Sequence, residues 1–566
     1  MTRNQAENMN FKSKSNRSPW SWIPSLYFAE GIPYIIVMFV ASDMYKTLGI
    51  SNTALAFWTS ILYLPWVIKP LWSPFVDIYA TKRKWIVWMQ LALAMAFFGV
   101  SLALHLPWWF PATLVFLWVM ALASSTHDIA ADGFYMLALD EHTQTFFTGI
   151  RATFYRLAMI AGLGLLVIIT GLILDNTGLD TLNVNISAVP QSQITETFRK
   201  DDIKIVEEEG KPVILVFPEE VKVPLYNEAD ADPCDSVVIF FALSAPPEDD
   251  KVVKMTFGQK KGSKDIFLAS NGIFEFDKNN WNVPGKAVIK VKPNLEETAD
   301  ARFDAKAGDV PFSWSVSIAF LGILFLLLSL YHKYILPSPE SDNRENKKQE
   351  GSYFQVFATF FKKEGIIPSI IFLLLYRFSE SQLTKMASPF LLDSTENGGL
   401  ALSLTEKGFA YGTVGLIALM VGGILGGIVA SRNGLKKWIW WMAVSINVPN
   451  VVYIFMSYVL PDNLIVVNTC IAVEQFGYGF GFTGYMLYML YIAGKGEYKT
   501  AHFAIATGFM ALGMMIPGMI SGAIQEFLGY QHFFIYVIFC TIPSFVALWF
   551  IKIDPGFGKK KWNRRE

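Results

Sequence analysis

Runs of about twenty apolar residues recur along the chain, and no other feature restricts its fold as much. A helix rises ~1.5 Å per residue, so such a run can cross ~30 Å of hydrocarbon. The runs fall at 20–45, 53–78, 85–106, 108–139, 146–176, 312–336, 365–392, 405–431, 438–460, 463–493, 500–527 and 532–553. They predict a polytopic all-α membrane protein of twelve spans, several long enough to tilt. Charge agrees: 17% of the 566 residues are charged, against about a quarter in soluble domains. Gly31, Pro33, Pro65, Pro70, Pro74 and Pro517 fall inside the runs. Membrane helices tolerate them, because neighbouring groups satisfy the freed backbone, and they supply bending points. Residues 1–18 are polar and basic without a cleavable signal pattern, so the first run is expected to remain as a span.

Lysine and arginine set the expected orientation. One series of connections holds Arg3, Lys12, Lys14 and Arg17, then Lys82, Arg83 and Lys84, then Arg344, Lys347, Lys348, Lys362 and Lys363. It continues through Arg432, Lys436 and Lys437, Lys495 and Lys499, and the tail Lys559, Lys560, Lys561, Arg564 and Arg565. The alternate short connections hold little beyond Lys46 and Lys407. Both termini are therefore expected in the cytoplasm. A net charge of −1 gives no sign of a nucleic-acid partner, and Cys234, Cys470 and Cys540 show neither disulfide nor metal-site spacing. No cofactor is expected.

The expected domains follow. A cytoplasmic tail (1–18) leads into spans one to five (19–176), an external insertion (177–311) and span six (312–338). A cytoplasmic linker with an amphipathic helix (339–364), spans seven to twelve (365–553) and a basic tail (554–566) complete the chain. Without the insertion the two membrane halves are nearly equal in length, as in transporters built from a repeated six-helix unit. The insertion reads DIKIVEEE, KPVILVFP, SVVIFFAL, VVKMTFG, KDIFLAS, GIFEFD and KAVIKVK, separated by Pro, Gly, Asp and Asn. Short alternating runs with turn residues predict a small antiparallel β-sandwich. Its expected role is structural or docking, with a glycan or envelope partner as the alternative.

Ionisable groups inside apolar runs are costly and mark function by default. Span four carries His127, Asp128 and Asp132, and span five carries Arg156. The aspartates are i and i+4 on one face, roughly 18 and 12 Å from the cytoplasmic end, and Arg156 is roughly 15 Å up the next helix. These depths predict an Asp128–Arg156–Asp132 cluster, either a static clamp or a proton-coupling gate. Glu30 precedes a helix break at Gly31-Ile32-Pro33. Span seven holds Arg377, Glu380, Gln382 and Lys385, with Arg377 and Glu380 spaced to pair i,i+3. Glu474 lies near mid-membrane beside Gln475, and a carboxyl group left without a cation there suits proton carriage. Candidate proton-coupling residues are thus Asp128, Asp132, Arg156, Glu474 and Glu30. Candidate substrate contacts are Glu30, Tyr34, Tyr376, Arg377, Glu380, Gln382, Glu474 and Gln475. Tyr34, Tyr63, Trp66, Tyr376, Tyr485 and Tyr488 could stack on sugar rings, though most aromatics in such a chain serve packing.

Two stretches echo each other, WSPFVDIYATKRKW (72–85) and GGILGGIVASRNGLKKW (422–438). They resemble the cytoplasmic loop motif of the major facilitator superfamily, which implies a conformational latch at Asp77, Arg83 and Arg432. Basic turns followed by an interfacial Trp also arise from topology alone. Further pieces are EGIP (30–33), KPLWSPFVD (69–77), DIAAD (128–132), YRLAM (155–159), LYRFSE (375–380), VEQFGYGFG (473–481) and TAHFAIATGFMALG (500–513). Together they resemble the AmpG-type muropeptide permeases of that superfamily and, more remotely, the acetyl-coenzyme A transporters. The resemblance implies twelve helices in two six-helix halves and a proton symporter. It implies import of an N-acetylglucosaminyl-anhydro-muramyl cargo for peptidoglycan recycling, across a bacterial inner membrane. It places Asp128, Asp132, Arg156, Arg377, Glu380 and Glu474 at matching polar positions, although Arg377 and Glu380 replace similar rather than identical residues. The insertion has no counterpart in the usual pattern.

Expected partners are thus a small-molecule substrate, protons, the bilayer and an envelope partner of the insertion. Two other readings stay open: a transporter of another cargo (an oligosaccharide, acylated metabolite or drug), and a non-transporting envelope scaffold or receptor. No nucleophile–base set or metal constellation points to an enzyme.

Overall fold

The computed structural model describes residues 17–557 apart from 140, 191–192, 194–202, 208–209, 226–235, 248–251, 264, 271, 293–294, 296, 340–341, 343–352 and 495–498. The side chain of Asp77 and most of the expected cytoplasmic linker fall outside the described residues. Eleven apolar helical runs are long enough to span a membrane among those described: α1 (Pro19–Thr47), α2 (Asn52–Ser73), α3 (Lys82–Ala103), α4 (Trp109–Ala138), α5 (Thr153–Thr177), α6 (Val310–Ile335), α7 (Ile366–Leu392), α8 (Leu404–Asn433), α9 (Leu435–Val459), α10 (Leu464–Gly494) and α11 (Ala501–Phe550).

The last run accounts for the two final expected spans. Fifty residues of unbroken helix would reach ~75 Å, more than twice the hydrocarbon thickness. Gly529 breaks it with φ 70° and ψ 165°, a conformation open to glycine. Beyond it the chain doubles back: Phe534 packs on Phe390 of α7 at 5.0 Å, and Ser544 donates to the Leu375 carbonyl at 2.8 Å. The two arms of α11 thus make two crossings.

Local sequence explains the other irregularities. Ser51 and Thr81 cap α2 and α3 through their hydroxyls, and Ser403 with Glu406 forms a capping box at α8. Pro33 removes an amide donor inside α1, and a π-helical turn follows at Ile36–Val40. Comparable π turns occur at Ile160–Leu166 in α5 and Ala410–Gly415 in α8. These two meet: a Cβ on Gly412 would lie 2.3 Å from the Gly164 backbone. Only two glycines allow that approach between the halves.

Between α5 and α6 the chain forms a two-sheet sandwich, with strands β1 (Leu179–Val189), β2 (Ile214–Phe217), β3 (Val221–Pro224), β4 (Ser236–Leu243), β5 (Val253–Gly262), β6 (Ile266–Leu268), β7 (Ile273–Phe276), β8 (Gly285–Val291) and β9 (Ala299–Ala307). The sheet orders are β3-β1-β9-β5-β7 and β2-β4-β8-β6. All pairings are antiparallel except β1 with β3, which is parallel, so the expected all-antiparallel sandwich is corrected at that edge. The run at 203–207 is not a strand. Phe241, Phe257 and Phe303 fill the gap between sheets, with ring centroids 4.6 and 5.3 Å apart. β1 leaves α5 after Gly178, and β9 enters α6 through Asp309, whose carboxylate accepts from the Phe312 amide at 3.0 Å. The two central strands therefore continue α5 and α6 directly.

Candidate functional site

In the first half, α4 presents Asp128 and Asp132 one turn apart. Asp128 forms an ion pair with Lys69 of α2, the two side chains 22% and 20% exposed. Glu30 of α1 is buried, and its Oε2 has no hydrogen-bond partner among the described residues. The helices approach closely there, since a Cβ on Gly31 would lie 2.7 Å from Ala158 Cβ. Asp132 accepts from Arg151 at 3.1 Å and from the Tyr27 hydroxyl at 3.2 Å. The Arg151 guanidinium sits 5.0 and 5.1 Å from the ring centroids of Tyr27 and Tyr135.

The expected Asp128–Arg156–Asp132 cluster is thus corrected: the cations are Lys69 and Arg151. Depth along the helix was a sound guide, but direction was not. Residues 151 and 156 are five apart, about 140° around an α-helix, so they face different neighbours. A second polar string, also unforeseen, joins Ser25, His332, Gln90 and His127, each contact 2.9 Å. It ties α1, α6, α3 and α4 together.

In the second half the i,i+3 pair forms. Arg377 reaches Glu380 at 2.5 and 2.9 Å, donates to the Tyr478 hydroxyl at 2.8 Å, and lies over the Tyr478 and Phe482 rings. Glu474 is buried and accepts from Gln475 at 2.9 Å. Gln475 also donates to Tyr411 at 3.3 Å. Gln382 is buried and donates to the Phe378 carbonyl at 3.3 Å. Tyr376 proves to be a packing residue. Its hydroxyl donates to the Gly481 carbonyl at 3.0 Å and its ring stacks on Tyr485 at 5.0 Å, which leaves no free edge for cargo. Tyr34 meets Trp66 edge-on at 5.4 Å.

At the end carrying the sandwich, buried polar contacts close the halves against each other. Asp43 of α1 pairs with Lys407 of α8 and accepts from Ser388 of α7. Lys46 pairs with Asp393 at 2.6 Å, and Asn52 donates to Gln525 at 2.6 Å and to Tyr530 at 2.9 Å. Lys46 and Lys407 stand out in the sequence only as loop charges, and Asp43, an ionisable group in an apolar run, is the unexpected counterpart of Lys407. The expected latch takes another form. Arg83 donates to the Lys333 carbonyl at 2.5 Å, and its backbone amide donates to Asp342 at 3.2 Å, so its contacts stay within the first half. Arg432 ends α8 exposed.

The BT1 family model matches residues 29–278. A Rickettsia felis protein named as transporter AmpG 1 is 27% identical over 187 residues, 33% of this chain and 41% of the relative. A Rickettsia typhi AmpG 2 is 26% identical over 203 residues, covering 35% and 47%. A Rickettsia bellii AmpG 1 is 25% identical over 234 residues, covering 41% and 55%. The chain thus matches about half the length of these curated relatives. Among solved structures, nucleoside transporter NupG aligns with 95% of this chain and 100% of its own at TM-score 0.56 and 12% identity. A D-xylose–proton symporter aligns over 96% and 99% at TM-score 0.52 and 11% identity. At these identities the structures speak for the fold alone. The chain is thus similar to the BT1 family over residues 29–278 and to AmpG-named transporters over part of their length, and it has a major-facilitator-like transmembrane fold with an inserted sandwich.

Proposed function

We propose that this transporter is a proton-coupled importer of a cell-wall muropeptide or related amino sugar, working by alternating access. It sits in a bacterial inner membrane, with both termini cytoplasmic and the sandwich outside. The cargo assignment is supported by the AmpG names of the relatives and by the motifs from EGIP to TAHFAIATGFMALG. Coupling rests on one observation: Glu30 is buried with an unpartnered carboxyl oxygen, on a helix packed against the one that carries the Asp128–Lys69 pair. A buried carboxyl group of this kind can carry a proton in its neutral form, while Lys69 balances the charge of Asp128. Glu474, buried without a cation among the described residues, is a second acid that can cross as its neutral form.

The test is uptake of labelled anhydromuropeptide into proteoliposomes under an imposed pH gradient. Acid on the sandwich side should accelerate uptake. Glu30→Gln, Asp128→Asn and Glu474→Gln should each be compared for that acceleration, and at least one should lose it about tenfold, ~1.4 kcal/mol of barrier. If all three leave it intact, the coupling proposal is wrong.

A further inference from the structure

Lys385 is a membrane-depth cation without a counter-charge among the described residues. It is 3% exposed, on α7 between the halves. The acids of the surrounding elements are engaged elsewhere. Glu380 of α7 is held by Arg377, and Asp393, just past the end of α7, by Lys46. On α1, Asp43 is held by Lys407. At the tip of α11, Glu526 binds the amide and hydroxyl of Thr53. Lys385 Nζ donates to Thr59 Oγ1 of α2 at 3.0 Å and lies 5.2 Å from the Tyr63 ring centroid. Among the described residues no carboxylate pairs with it. A buried ammonium in a protein interior is normally paired, because one hydroxyl and one ring do not replace its hydration.

A second unsatisfied group lies close by. Ser60 is fully buried, and its hydroxyl has no hydrogen-bond partner. Gly518, on the first arm of α11, faces both groups: a Cβ there would lie 2.8 Å from Ser60 Oγ and 3.3 Å from Lys385 Cγ. The glycine lets α11 approach both groups closely, and any side chain there would crowd them. An ammonium, a free hydroxyl donor and an aromatic face thus converge from α2, α7 and α11, which belong to both halves. Lys385 lies one helical turn from Ser388, which binds the Asp43–Lys407 pair closing the sandwich end.

We infer that Lys385, with Ser60, is the recognition site for an anionic group of the cargo, a carboxylate or a phosphate. The cargo's charge completes the ion pair that the protein leaves open. Because its neighbours come from both halves, filling the site also links occupancy to closure of that end. This deepens the function proposed above and rests on it for the cargo used in the first test.

That test compares uptake of an anhydromuramyl disaccharide bearing a free lactyl carboxylate with uptake of its neutral amide. The full-length wild type should prefer the acid. Lys385→Gln should slow the acid by about tenfold or more, the loss of one charge-assisted hydrogen bond, and change the amide less than twofold. Lys385→Arg should keep part of the preference. Equal slowing of both compounds, or of neither, overturns the inference. A second measurement does not depend on uptake. Thermal unfolding of the purified full chain is followed with N-acetylmuramic acid or inorganic phosphate, and with N-acetylglucosamine as the neutral control. Only the anions should stabilise the wild type, and Lys385→Gln should abolish that shift. If neither anion shifts the wild type, or the variant shifts equally, the inference is wrong, whatever the transport result. If the anions stabilise the wild type but neither disaccharide is taken up, the cargo proposal fails and the anion site stands.

Discussion

Lys69 and Asp128 meet where protein gives way to partial hydration, each about one-fifth exposed. Removing the ammonium leaves Asp128 without the cation it pairs with. Breaking a fully buried pair destabilises by about 3–5 kcal/mol, so Lys69→Ala at this exposure should lower stability by roughly 1–3 kcal/mol. Adding Asp128→Asn to that variant should restore most of the loss without restoring pH-driven uptake. Thermal unfolding of the purified protein checks both statements, and a double variant no more stable than Lys69→Ala would refute them. The rule that marked Asp128 and Asp132 in the sequence applies equally to a lysine in an apolar run. But lysine can snorkel, its stem in lipid and its head in water, so its position alone does not say that it turns inward. Carboxylates cannot reach as far, which is why the acids of this site were legible and their cations were not. Arg151 was missed for another reason: depth arithmetic fixes height on a helix but not the direction a side chain takes.

Among elements, the contact of α5 with α8 is the most restrictive. Gly164 and Gly412 touch backbone to backbone within two π turns, whereas a Cβ on Gly427 of α8 would meet nothing within 4 Å. Gly412→Ala should therefore destabilise by about 1–3 kcal/mol through overpacking, or push the halves apart. Gly427→Ala, the internal control, should be neutral or slightly stabilising. If the two variants have equal melting temperatures and equal uptake, the crossing is looser than its geometry indicates. Length and apolar periodicity made the spans readable, and even the reversal at Gly529 falls between the expected last two runs. The strands were readable only where large apolar residues alternate, as in SVVIFFAL and KAVIKVK. β9, ADARFDAKA, buries alanines between charged residues, a contrast too weak to mark a strand. Its partner β1 starts two residues beyond α5, so no polar loop separates helix from strand.

At the scale of the whole molecule, the sandwich is continuous with the first half but bound to the second. Lys260 of β5 pairs with Glu406 at 2.8 Å and donates to the Ala401 carbonyl at 3.0 Å, and the Gln259 amide donates to Glu396 at 3.0 Å. These contacts straddle the end closed by Asp43–Lys407 and Lys46–Asp393. Alternating access requires that end to open, so the sandwich must release the α7–α8 connection or hold it shut. Each contact is partly exposed and weak alone, but together they amount to about 1–2 kcal/mol, enough to shift a two-state population by roughly 5- to 30-fold. Lys260→Ala with Glu396→Gln should therefore favour the form open at the sandwich end. The direct test replaces Lys260 and Glu406 by a cysteine pair in a chain lacking Cys234, Cys470 and Cys540. Oxidation should stop uptake and reduction should restore it. Uptake that continues at full rate with the bridge formed would mean the sandwich travels with both halves, and that the contact does not gate transport.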